Sequence, residues 1–137
     1  MKTLYEQFET NKTHEQEGVV LDFGIAKFRV RRAGGSNRKF AAVFSAKTKP
    51  YRRAIDMGTM AEEVSQRLLM EVYFEAIMLG WEGVTDKRGT PMQYNLENFV
   101  TLMTDLPDLW STIRAECDNI HNFQDETNKA DGETLGE

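Results

Sequence analysis

The chain has 137 residues, 40% apolar and 28% charged, which suits one compact domain with a buried core. No apolar run approaches the roughly 18 residues of a membrane span, and acids interrupt the apolar positions of Met1–Glu9, so neither a span nor a secretory leader is expected. One cysteine, Cys117, and two histidines, His14 and His121, allow no internal disulfide and no zinc-ligand spacing, so no metal or other cofactor is expected.

The net charge of −5 conceals segregation along the chain. Residues 1–26 sum to −3, 27–53 to +10, 54–123 to −8 and 124–137 to −4. Blocks of this kind speak about surfaces that meet partners more than the total does.

Leu4, Tyr5 and Phe8 share one side of a short N-terminal helix, and Asn11 to Gly18 reads as a polar link. From Gly18 the period changes to two. Val19, Leu21 and Phe23 alternate, as do Ala26, Phe28 and Val30, with Gly24 as the turn of a hairpin that ends at Ala33-Gly34-Gly35. Beyond Ser36, a plausible N-cap, everything reads as helix. Phe40, Val43 and Phe44 form a stripe up to Pro50, and Tyr51, Ala54 and Ile55 give a further turn closed by Gly58. Thr59 and Glu62 match a capping box ahead of a wide stripe through Val64, Leu68, Val72, Ala76 and Leu79, with Glu63 and Arg67 spaced as an ion pair.

Gly80 to Tyr94 reads as a loop, with Asp86-Lys87-Arg88-Gly89 its turn. Asn95 caps a helix bearing Leu96, Phe99, Val100 and Met103. Asp105 caps another, bearing Leu106, Leu109, Trp110, Ile113, Cys117, Ile120 and Phe123, with Pro107 in its first turn. The predicted fold is mainly α-helical α+β: a small N-terminal hairpin packed on four to five helices. Residues 1–123 form the single domain and 124–137 an acidic tail expected to be flexible.

An enzyme is not expected. The acid pairs Glu62/Glu63 and Asp105/Asp108 stand where helix starts favour negative charge. Gly34-Gly35-Ser36 lacks the spacing and the Lys-Ser/Thr ending of a phosphate loop. Cys117 lies on an apolar stripe as a packed thiol, and Trp81 and Trp110 read first as core anchors. The feature that stands out is a basic face: Lys27, Arg29 and Arg31 on one side of a strand, then Arg38, Arg52 and Arg53, interleaved with aromatic residues. That mixture can mark a nucleic-acid surface. The overall acidity argues against it, and acidic protein surface, internal or on a partner, is the expected counterpart.

The order of the motifs carries a resemblance. Glu17-Gly18-Val19-Val20-Leu21-Asp22-Phe23-Gly24 precedes Phe28-Arg29-Val30-Arg31-Arg32-Ala33-Gly34-Gly35-Ser36-Asn37, then Lys49-Pro50-Tyr51-Arg52-Arg53-Ala54-Ile55. Trp81-Glu82-Gly83-Val84-Thr85-Asp86, Tyr94-Asn95-Leu96-Glu97-Asn98-Phe99 and Asp105-Leu106-Pro107-Asp108-Leu109-Trp110 follow. Over residues 1–123 the chain resembles a group of tail assembly chaperones from long-tailed, non-contractile phages. The resemblance implies a protein of the host bacterial cytoplasm, absent from the finished virion. It would bind the helical, aggregation-prone tape-measure protein while the tail-tube protein, a further possible partner, assembles around it; self-association is a further expectation. Many such genes also make a longer product by ribosomal frameshifting.

The job needs exposed apolar groups offered to a helical client. Trp81, Met92, Tyr94, Leu102, Leu106 and Trp110 are the candidates, with Leu102, off the stripe of its helix, expected to be the most exposed. The alternatives are a structural tail or connector subunit and, less favoured, a nucleic-acid-binding regulator using residues 27–53.

Overall fold

The computed structural model of the chain describes residues 2–35 and 37–125. Two short helices, α1 (Leu4–Phe8) and α2 (Lys12–Glu17), lead into strands β1 (Val19–Asp22) and β2 (Lys27–Val30). Helices α3 (Arg38–Thr48), α4 (Arg52–Met57) and α5 (Glu62–Ala76) come next, then strand β3 (Met78–Glu82) and helices α6 (Leu96–Asp105) and α7 (Pro107–Cys117). The strands form one antiparallel sheet in the order β1-β2-β3, and the fold is mainly α-helical α+β as the sequence predicts.

The hairpin forms where the alternation places it. Gly24 takes a left-handed φ of 87° and its N–H donates to Asp22 Oδ1 at 2.8 Å. Leu21, Phe28 and Val30 are buried on the core face, while Lys27 and Arg29 point to solvent. Gly18, with φ 82°, strains any other residue, because a Cβ there would lie 2.6 Å from the Val30 carbonyl oxygen.

The third strand corrects the sequence reading. The stripe that runs through Leu79 stops being helical at Ala76, and Met78–Glu82 pairs with β2, placing Phe28 opposite Trp81 and Lys27 opposite Glu82. A short apolar run such as Ile77–Leu79 fits a helix end or a strand equally well, and the open edge of β2 decides between them. Residues 11–18 are likewise not a link: Asn11 caps α2 by accepting from the His14 N–H at 3.1 Å.

Several caps also differ. Asn37 caps α3 by accepting from the Phe40 N–H at 3.0 Å, and Ser36 lies outside the described residues. The Thr59/Glu62 box does not form. Thr59 instead bonds back to the Ala54 carbonyl beyond the left-handed Gly58, closing α4, and Ala61 begins α5 with no side-chain cap. Asp105 ends α6 rather than capping α7, whose N-cap is Leu106, with Pro107 in its first turn. Arg67 pairs with Glu71 and Glu97 in place of Glu63. Val64 is exposed and Met70 occupies the buried side of α5 instead.

The core is a chain of aromatic contacts laid between the sheet and α5–α7. Tyr73 meets Trp110 at 5.1 Å, Phe99 meets Trp110 at 6.1 Å, and Phe74 connects Phe99 to Tyr94. Ile113, Phe99 and Cys117 are fully buried beside them. Each such side chain contributes about 1.5–3 kcal/mol by burial. The exposed ion pairs of Arg67 contribute about 0–1 kcal/mol each, so packing dominates. Two backbone bonds lock the end of β2 over the core, from Arg31 N–H to Ile77 and from Ala33 N–H to Cys117.

Gln124, read from the sequence as the first tail residue, belongs to the packed body. It is 1% exposed, and its amide donates to the Gln7 carbonyl at 2.7 Å. Asp125 is also described, and residues 126–137 of the expected tail lie outside the described residues.

Candidate functional site

Three of the six expected client-binding residues come together. Met92, Leu102 and Leu106 line a groove of about 460 Å³ between α6 and the 85–91 turn, with Asp86, Lys87 and Arg88 on its rim. This volume is toward the small end of ligand clefts, which run from ~300 to ~1,000 Å³, so it suits one or two apolar side chains of a larger partner.

The turn is built by Asp86, whose Oδ1 accepts from the N–H groups of Arg88 and Thr90, while Gly89 takes φ 84° and Thr85 pairs with Pro91. Trp81 then fixes the second arm. Its Nε1 donates to the Met92 carbonyl at 3.0 Å, and its ring stands edge-on to Tyr94 at 5.2 Å and to Phe28 at 6.1 Å. Trp81 and Tyr94, both half-buried, therefore position the groove from behind.

The ranking within the groove reverses the sequence expectation. Leu102 is 9% exposed and forms part of the core, while Leu106 is 48% exposed at the start of α7. The helical wheel puts Leu102 off the stripe of α6, but the core wraps far enough around that helix to reach it. Trp110 is not part of this surface. It is 3% exposed, its Nε1 donates to Gln66 Oε1, and the Arg114 guanidinium lies 4.8 Å over its ring. The Nε of Arg114 is buried with no hydrogen-bond partner among the described residues.

The basic face is divided among three places. Lys27 sits between Asp22 and Glu82 in the strand register, and Arg29 donates to the Glu17 backbone carbonyl. Arg31 and Arg38 line a separate concavity with Lys12 and Lys39. Arg52 and Arg53 open α4, where both are exposed.

Apolar exposure that the stripes concealed lies elsewhere: Leu4, Tyr5 and Phe8 on α1, Ile25 at the hairpin tip, and Phe44, Ile55 and Met57 on α3 and α4. The signal was present as more apolar stripes than one small core can cover. Cys117 is fully buried, and burial, aided by Glu116 and Asp118, pushes its thiol up to about 12, far from a reactive thiolate. Among the described residues no group of three or more His, Cys, Asp or Glu is arranged to hold a metal, and no helix is long and apolar enough to cross a membrane.

Residues 35–134, from the turn before α3 through α7 and beyond, match the family model of the YdaY prophage protein. The chain belongs to the YdaY prophage protein family. Membership in the YdaY family makes this a phage-derived protein and includes the groove, α5, β3 and α7 within the shared region, leaving β1 and β2 outside it. No curated protein and no solved structure matches the chain.

Proposed function

We propose that this prophage protein is a tail assembly chaperone that binds the tape-measure protein through apolar contacts during tail-tube assembly. On this reading it is not an enzyme, acts in the host cytoplasm and is absent from the finished virion. The observation that carries the proposal is the groove of Met92, Leu102 and Leu106: apolar within, charged at the rim and braced by Trp81. An amphipathic helix presents apolar residues at i, i+3 and i+4, and one or two of these fit a cleft of this size. The prophage family and the motif order of the sequence supply the context.

Co-expression tests it. A fragment of the tape-measure protein from the same prophage should become soluble with this chain and co-purify with it, and the complex should persist at high salt because its contacts are apolar. A fragment that stays equally insoluble with and without the chain contradicts the reading. Detection of the protein in stoichiometric amounts in purified virions would favour a structural tail subunit.

A further inference from the structure

Five cations, Lys12, Arg31, Arg32, Arg38 and Lys39, line one concavity of about 490 Å³, with Glu15 as the single acid in its wall. Glu15 is paired to Arg32 at 2.8 Å, and Arg31 Nε donates to the Gln16 carbonyl at 3.1 Å. Among the described residues Lys12, Arg38 and Lys39 have no ionic partner. The concavity is assembled from α2, the end of β2 and the first turn of α3. The 11-residue α3 adds the positive end of its dipole.

The C-terminal part of the chain is brought to the rim of this basin. Asn11, the residue before Lys12, donates its backbone N–H to the Phe123 carbonyl at 2.7 Å and its side-chain amide to Asp125 Oδ1 at 2.7 Å. The next twelve residues contain four acids, Glu126, Asp131, Glu133 and Glu137, against one lysine, Lys129. Only Ala130 and Leu135 are apolar there, so charge is the main thing this segment offers a partner.

We infer that the basic concavity is the docking site of the chain's own acidic segment, residues 126–137. The charges are complementary and the segment starts at the rim. At up to ~3.3 Å per residue it also has ample reach to cross the basin. A short tether holds it at an effective concentration of about millimolar, so even a weak electrostatic contact is substantially occupied. Binding of this kind shields the basin from other anions and yields as salt rises.

The test uses the full chain with a nitroxide on Thr134→Cys; Cys117, fully buried, is not labelled. At low ionic strength the amide signals of Lys12, Arg38 and Lys39 should broaden well beyond those of a control carrying Asp131→Asn, Glu133→Gln and Glu137→Gln. The excess should vanish at about 1 M salt, where the Debye length is ~3 Å, and, read at the Lys12 amide, in an Arg38→Glu/Lys39→Glu variant of unchanged melting temperature. Broadening equal to the neutralised control, or insensitive to salt, overturns the inference. Broadening seen only when a spin-labelled copy is mixed with a separate isotope-labelled copy overturns the intramolecular assignment.

Discussion

Helices α5–α7 carry apolar stripes in the sequence, and so do α1, α3 and α4 on the other flank, but the structure uses the two sets in opposite ways. Among the described residues every buried α-helical residue belongs to the first group, from Met70 through Phe99 to Cys117, whereas α1 to α4 contain none. A stripe states that a helix has a face to cover. Whether it is covered depends on what lies opposite, and the sheet with its aromatic chain has room for three helices. The flank is held instead by polar ties, such as Gln124 to Gln7 and Asn11 to the Phe123 carbonyl, and by α3 leaning Phe40 on Tyr73 at 5.7 Å.

The comparison breaks first at its centre. Phe99 is fully buried against Trp110 and Phe74, so Phe99→Ala should cost about 3–5 kcal/mol in urea denaturation. A loss below about 1 kcal/mol would mean that α6 is not part of the core. Next is the joint between the two regions. Gly18→Ala forces a Cβ against Val30 at φ 82° and should cost about 1–3 kcal/mol without changing the fold.

Alkaline titration sharpens the contrast without a mutation. Burial pushes the Cys117 thiol up to about 12 from 9.0, and the Tyr73 and Tyr94 phenols up to about 12 from 10.0. Each group keeps its proton longer in the folded chain, so its stabilisation is complete below pH 9 and is lost as the pH rises toward 12. The melting temperature should fall across that window, and a flat profile would place these groups in water. The smallest effect belongs to the flank: Phe8→Ser, at a side chain 58% exposed, should change stability by less than about 0.5 kcal/mol.

What was legible in the sequence was whatever depends on near neighbours. The β1–β2 alternation with Gly24, the Asn95 cap accepting from Asn98 at 2.8 Å and the Asp86–Gly89 turn all follow from a few adjacent residues. The third strand was hidden because Ile77–Leu79 continues a helical stripe until the free edge of β2 is taken into account. Helix α2 was hidden because it has no apolar period. Gln124 was hidden because its partner lies 117 residues away. At the site, Met92 and Leu106 stood out as surplus apolar residues. The bond from Trp81 to the Met92 carbonyl, which gives the groove its shape, had no local signal. The exposure of Leu102 was misjudged because a wheel drawn for one helix does not know how far the core wraps around it.

Both regions expose apolar groups, so the central claim is about which of them holds the client. The direct measurement is recovery of a soluble tape-measure fragment with Leu106→Lys and, side by side, with Phe8→Lys; both positions are exposed, at 48% and 58%, and both variants should keep the parent melting temperature. The groove account predicts that Leu106→Lys loses the complex and Phe8→Lys keeps it. Retention by both, or loss with Phe8→Lys alone, would contradict it.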